Sequence, residues 1–170
     1  MLVFLIGMMG SGKTSVGNLL AKKLQVPLID IDKEIEKNEN QLVKEIFDQK
    51  GEKYFRKIES KIFLKKRRSA VVSCGGGIIL YKKNREFLKN EGYTLHLKTS
   101  VSVIEKRLVG IKDRPLINYN NPYESLTNIY QKRKHLYDEA SNSFILTDKM
   151  SIKQVYEATL EKLKFEKIYC

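Results

Sequence analysis

The 170-residue sequence has only two cysteines, Cys74 and Cys170. Cys74 falls in an apolar run that reads as a core strand, and Cys170 is the last residue. That argues against a disulfide framework and leads us to expect a reducing, cytoplasmic setting. Long hydrophobic runs are also missing. Leu2-Val3-Phe4-Leu5-Ile6 is far too short to cross a bilayer and lacks a basic leader, and no later stretch approaches the roughly 20 apolar residues of a transmembrane helix. No internal repeat, low-complexity tract or long linker divides the chain. Residues 1–170 are therefore expected to form a single domain, of a size that can bury a proper core. Acidic residues are outnumbered, with 20 Asp and Glu against 32 Lys and Arg, a net charge of +12. Such an excess can signal a nucleic-acid partner. Here the lysines are spread along the whole chain without a dense basic–aromatic pattern, so a Lys-rich solvated surface is expected and no nucleic acid. The one tight basic run, Lys65-Lys66-Arg67-Arg68, closes a predicted helix. Cations there complement the C-terminal dipole, and the run reads as a solvated helix end.

Against these absences stands one dense signal. Gly7-Met8-Met9-Gly10-Ser11-Gly12-Lys13-Thr14 fits G-x-x-x-x-G-K-[ST], a loop that grips nucleotide phosphates. Its flanks suit it. The apolar run 2–6 before it reads as a buried strand, and Val16, Leu19, Leu20 and Leu24 recur after it at helical spacing. Glycines let the backbone close around phosphate oxygens while successive N–H groups point at the anion. The helix N-terminus adds favourable electrostatics, Lys13 is suited to the β- and γ-phosphates, and the Thr14 hydroxyl to Mg²⁺.

Further strands are expected at Val26–Asp32, Ala70–Cys74, Tyr93–Leu97 and Ser143–Thr147. The segments between them read as helices: short pieces over 33–38 and 41–48, a longer one from Gly51, then 82–90, 101–108, 122–140, and a last one capped by Ser151 and running to about Phe165. Short apolar strands alternating with helices indicate a parallel α/β sheet covered on both faces. Ligands of such sheets bind beyond the carboxyl ends of the strands. The phosphate loop, the Asp30/Asp32 pair and the Gly75-Gly76-Gly77 turn all follow strand ends and so converge on one edge.

Each remaining feature has a functional and a plainer reading. Alternation along a strand would aim Asp30 and Asp32 into one site, one for Mg²⁺ through water and one for an acceptor hydroxyl. Alternatively Asp32 simply caps a helix. In Gly51-Glu52-x-x-Phe55-Arg56-x-x-Glu59, Arg56 and Glu59 share a helix face. They form either a weak surface pair or an arginine held so that its fork clamps a carboxylate. Three glycines after a strand are costly unless something must come close. Arg107 and Arg114-Pro115-Leu116 bracket a polar segment, about 109–121, read as a mobile lid. A lid can exclude water and carry an arginine to the phosphates, or its basic residues can be surface decoration.

Taken in order, the phosphate loop, Asp-x-Asp, Phe-Arg-x-x-Glu, Gly-Gly-Gly, Arg-Pro-Leu and Arg133-x-x-x-Tyr137 resemble the shikimate kinase family over nearly the whole chain. The resemblance implies a three-layer P-loop kinase fold with a five-stranded parallel sheet of order 2-3-1-4-5, and MgATP-dependent phosphorylation of the shikimate 3-hydroxyl in the pathway to chorismate and aromatic amino acids. It implies that Gly10, Ser11, Gly12, Lys13, Thr14 and Ser15 hold ATP phosphates, with Thr14 and Asp30 at Mg²⁺ and Ser73 near a metal-bound water. Arg114 is expected to bridge phosphates and Arg107 to flank adenine. Arg56 and Arg133 are expected to take the shikimate carboxylate, Asp32 its hydroxyls, Phe47 and Phe55 its ring, and Gly75, Gly76 and Gly77 to line the same acceptor pocket, whose segment runs over about 32–60. Lys13, Asp32 and Arg114 form the implied catalytic set, in a protein expected to act as a monomer without a membrane partner. Leu146-Thr147-Asp148-Lys149-Met150 departs from the family's usual segment near adenine. A gluconate-kinase-like enzyme shares the loop and fold, but the two-arginine clamp and the glycine turn argue against it. A basic nucleic-acid module using ATP for regulation is the reading from another class.

Overall fold

The computed structural model describes residues 1–111 and 114–169. Strands β1 (Leu2–Ile6), β2 (Leu28–Asp30), β3 (Ala70–Ser73), β4 (Tyr93–Lys98) and β5 (Ser143–Leu146) alternate with helices α1 (Lys13–Leu24), α2 (Ile31–Glu39), α3 (Val43–Phe63), α4 (Lys82–Glu91), α5 (Val101–Leu108), α6 (Pro122–Ala140) and α7 (Ile152–Phe165). The strands form one sheet in the order β2-β3-β1-β4-β5, every neighbouring pair parallel. Among the described residues no helix is long and apolar enough to cross a membrane.

β1 is central and buried along its whole length, and its pleat divides the core in two. Val3 and Leu5 face a layer made with Val16, Leu20 and Leu24 of α1 and Val155 and Leu163 of α7. Leu2, Phe4 and Ile6 face the opposite layer, with Ile62 and Phe63 of α3, Leu88 of α4, Ile104 of α5 and Leu126 and Tyr137 of α6. Phe4, Phe63 and Phe87 meet there edge-on, with centroids 5.1–6.1 Å apart, the geometry that ring quadrupoles favour.

Two local differences from the expected elements, and one agreement, have physical causes. β2 ends at Asp30, and Asp32 lies in the first turn of α2. The Asp30 side chain accepts the Lys33 N–H and is the helix cap, so Asp30 and Asp32 do not alternate along one strand. The two pieces expected over 41–48 and from Gly51 are both present within α3, parted by a kink at Gly51, where φ 77° and ψ 167° are non-helical. Arg67 is not a solvated helix end. Its guanidinium donates to the carbonyls of Ile62, Phe63 and Lys65 and pairs with Glu34 at 2.9 Å. It bonds carbonyls at and just beyond the C-terminal end of α3, where helical partners run out.

Of the expected lid, residues 112 and 113 lie outside the described residues, as does Cys170. The second half of the segment is tied down. Ile117 is buried in the core, and the Ser125 hydroxyl accepts from the Asn118 N–H and donates to the Leu116 carbonyl.

Candidate active site

The phosphate loop follows β1 and ends at Gly12, the residue preceding α1. Gly10 and Gly12 take φ of 74° and 92°, a region side chains disfavour. Lys13 folds back on the loop: its ammonium donates to the Gly7 and Met8 carbonyls at 2.9 and 2.8 Å. Burial lowers its pKa to about 8, against the opposing pull of the Asp32 carboxylate. Ser11 is buried behind it, Ser15 borders the same cleft, and the Arg107 guanidinium reaches the Gly10 carbonyl at 3.2 Å.

At the mouth of the loop three oxygens converge. The Thr14 hydroxyl donates to Asp30 Oδ2 at 2.8 Å and lies 3.0 Å from the Ser73 hydroxyl. The β2–β3 register pairs Asp30 with Ser73, which sets this meeting. Among the described residues no cluster of three or more His, Cys, Asp or Glu could hold a metal unaided. One carboxylate with two hydroxyls fits magnesium, which keeps much of its water and shares substrate phosphates with one or two protein ligands.

Beside this cleft lies a second, bordered by Phe47, Phe55, Arg56, Glu59, Gly77 and Arg133 among others. Both arginines are buried, at 8% and 6% exposure. Arg56 bonds Glu59 at 2.7 Å and Glu52 at 3.1 Å. Its guanidinium sits over the Phe55 and Phe47 rings, which lie on either side of the Gly51 kink with centroids 4.6 Å apart. The pair is thus no weak surface bridge, because Glu59 is 1% exposed. Burial pushes Glu59 up to about 6 even as Arg56 opposes the shift. Arg133, on α6, donates to the Gly76 carbonyl at 3.2 Å.

The glycine turn is the wall between the clefts. A Cβ on Gly77 would fall 2.3 Å from the Arg56 guanidinium, and one on Gly75 would fall 2.4 Å from Glu59 Oε1 and 3.0 Å from Asp32 Oδ1. What comes close to the turn is first of all the protein's own charged side chains. Met9, Asp32, Gly75, Gly76 and Arg114 border both clefts. The Asp32 carboxyl is raised above its usual range by burial and then by Asp30, with Lys13, Arg114 and Arg56 pulling it back. A partly desolvated carboxylate at the junction of two clefts is suited to orient or accept a proton from a hydroxyl.

Every residue expected in the site, except Ser11 and Arg107, borders one of the two clefts; Ser11 is buried within the phosphate loop and Arg107 touches that loop. Sequence reading does not identify Met9 as a shared wall or Val43 on the acceptor side, and it assigns Pro115 and Leu116 to a lid rather than to the acceptor wall they border. Val43 carries no signal beyond being apolar at the start of α3. The departing segment after β5 is anchored to the start of α5: Thr147 bonds Thr99 at 2.6 Å, and Asp148 accepts the Ser100 N–H just before that helix.

Comparison with known proteins agrees with this geometry. The family described as shikimate kinase matches residues 9–164. A shikimate kinase from Sulfurihydrogenibium sp. (strain YO3AOP1) is 38% identical over 164 residues, 95% of this chain and 97% of that protein. One from Thermodesulfovibrio yellowstonii is 43% identical, covering 81% of each. The solved shikimate kinase from Acinetobacter baumannii in complex with shikimate superposes with a TM-score of 0.94 at 34% identity, over 99% of this chain and 95% of that one. More distant structures, such as a deoxyadenosine kinase from M. mycoides at 15% identity and TM-score 0.61, share the fold. The chain belongs to the shikimate kinase family.

Proposed function

We propose that the protein transfers the γ-phosphoryl group of ATP to the 3-hydroxyl of shikimate, giving shikimate 3-phosphate and ADP. The observation that carries this reading is the junction: Asp32 and Arg114 border both the phosphate-loop cleft and the two-arginine cleft. Arg56 and Arg133 take the acceptor carboxylate, since guanidinium forks match carboxylate geometry and both lie buried where such bonds are strong. Phe47 and Phe55 pack on the ring, Gly75, Gly76 and Gly77 let it come close to the backbone, and Asp32 binds its hydroxyls and orients the attacking one.

On the donor side Gly10 to Ser15 cradle the phosphates, and Arg107 flanks the adenine. Lys13 leaves the loop carbonyls for the phosphates, which restore its full charge. Thr14 and Asp30 hold Mg²⁺, which when bound supplies further neutralisation of phosphate charge. Phosphoryl transfer asks for little covalent chemistry from the protein, so alignment by the two clefts and charge offset by Lys13 and Arg114 supply most of the rate. The protein works as a monomer in the cytoplasm.

An assay of ADP release with and without shikimate tests this. Strong stimulation by shikimate, and none by gluconate or nucleoside monophosphates, is the expected result. Equal stimulation by gluconate or a nucleoside monophosphate sinks the assignment of the acceptor.

A further inference from the structure

The Gly75–Ile79 stretch has every carbonyl committed. Gly75 and Gly77 accept the N–H groups of Ile78 and Leu80. The Ile78 carbonyl accepts from Asn84, itself bonded to Ser60, and the Ile79 carbonyl from Arg85. The Gly76 carbonyl has two donors from α6, the Arg133 guanidinium and the Tyr137 hydroxyl. Tyr137 is fully buried and stacked on His96 with centroids 4.8 Å apart. Burial pushes its hydroxyl up to about 12, so it stays a donor at any working pH.

In a planar trans peptide the C=O and the next N–H point in opposite directions. Anchoring the Gly76 carbonyl toward α6 therefore turns the Gly77 N–H away from α6. Gly77 borders the two-arginine cleft, and among the described residues its N–H donates to no protein acceptor. We propose that Tyr137 is a positioning residue for the acceptor: it fixes the Gly76–Gly77 peptide so that the Gly77 N–H is presented to an oxygen of the bound acid. This rests on the acceptor reading above. Arg133 cannot do this alone, because once its fork turns to a carboxylate the Tyr137 hydroxyl is the donor that keeps the peptide in place.

The test is Tyr137→Phe, which keeps the ring, its stacking and its volume. Shikimate KM is expected to rise about three- to tenfold, the range for one uncharged hydrogen bond, with ATP KM and melting temperature nearly unchanged. A lower melting temperature with both KM values unchanged means a purely structural hydroxyl and overturns the proposal, as does an equal rise in both KM values. Backbone ¹⁵N relaxation on the protein without substrates reads the peptide directly. Exchange broadening confined to Gly76 and Gly77 in the variant and absent in the parent supports the proposal; identical profiles overturn it. If the parent protein ignores shikimate, the acceptor reading fails, and the relaxation comparison still decides whether Tyr137 orients this peptide.

Discussion

The two halves of the site are built by different means. The donor half is built mainly on one contiguous loop with its main-chain N–H groups, Lys13 and Thr14, joined from elsewhere by Asp30, Ser73 and Arg107. Its shape depends on glycine dihedrals, and a loop of this kind suits any group with phosphate chemistry. The acceptor half is gathered from α2, α3, the glycine turn, the segment before α6 and α6 itself. Its working groups are side chains, two of them buried guanidiniums held by neighbouring carboxylates and carbonyls. A backbone site tolerates changes in distant side chains, whereas a side-chain site fails when one partner is removed and another is left buried and unpaired. The two clefts meet at Asp32 and Arg114, where the proposed transfer would take place.

Breaking the junction should cost most. Arg114→Ala is expected to lower kcat by ~10³ or more, the range for arginines that stabilise charge in phosphoryl transfer, with the fold intact by circular dichroism. A kcat within threefold of the parent would show that the halves do not meet at this side chain.

The next effect separates the halves. Arg133→Ala removes one arm of the carboxylate clamp and one donor to Gly76, and shikimate binding should weaken by about 2–5 kcal/mol, the cost of truncating a buried charge pair. ATP affinity, measured separately by calorimetry, should hold. The reverse pattern would assign Arg133 to the donor half.

The halves should also fail at opposite ends of the pH scale. Free Lys13 titrates at about 8 because burial disfavours its charge, and bound phosphates raise that value. ATP binding then takes up a proton above pH 8, and affinity should fall by up to about tenfold per pH unit. Asp32 is shifted the other way, upward. Its ionised form is lost as pH falls, so kcat/KM for shikimate should drop on the acid side beginning above the usual carboxylate range. Asp32→Asn should abolish that acid limb, and Lys13→Met the alkaline loss of ATP affinity. An alkaline limb that survives in Lys13→Met belongs to another group.

The same contrast governs what could be read before the fold was known. Gly7–Thr14 was legible because all its determinants are adjacent in sequence, and helix α6 over 122–140 because Pro122 and the apolar spacing mark it. Strand order and acceptor pocket became legible only through the ordered set of motifs that resembles a family. Composition and periodicity alone left Arg56–Glu59 open between a surface pair and a clamp, since burial is set by residues far away in sequence. Asp32 was misplaced on a strand because Val26–Ile31 is apolar enough to extend β2, while Asp30 capping at Lys33 starts the helix two residues earlier. Arg67 was misjudged for a related reason: a basic run beside a helix end does not reveal which cation turns back onto the carbonyls. The role of the glycine turn was half right. A close approach was expected, yet the approaching groups are Arg56, Glu59 and Asp32.

The smallest expected effect probes how the acceptor half is shaped. Gly51 breaks α3 at φ 77°, and a Cβ there would meet nothing within 4 Å. Space is free and only backbone strain opposes a side chain, so Gly51→Ala should cost about 1 kcal/mol, or roughly 2–4 °C in melting temperature for a chain of this size. Phe47 and Phe55 flank the kink, pack on each other and together lie under the Arg56 guanidinium. Any relaxation of the kink toward a straight helix moves one ring relative to the other. Shikimate KM should therefore rise, by less than about threefold if the loss stays near half a kilocalorie, and ATP KM should stay put because no part of α3 borders the phosphate cleft. A variant that melts lower with shikimate KM unchanged would make the kink a matter of chain path alone. A shift in ATP KM would instead mean that α3 and the phosphate loop are coupled through the glycine wall between them.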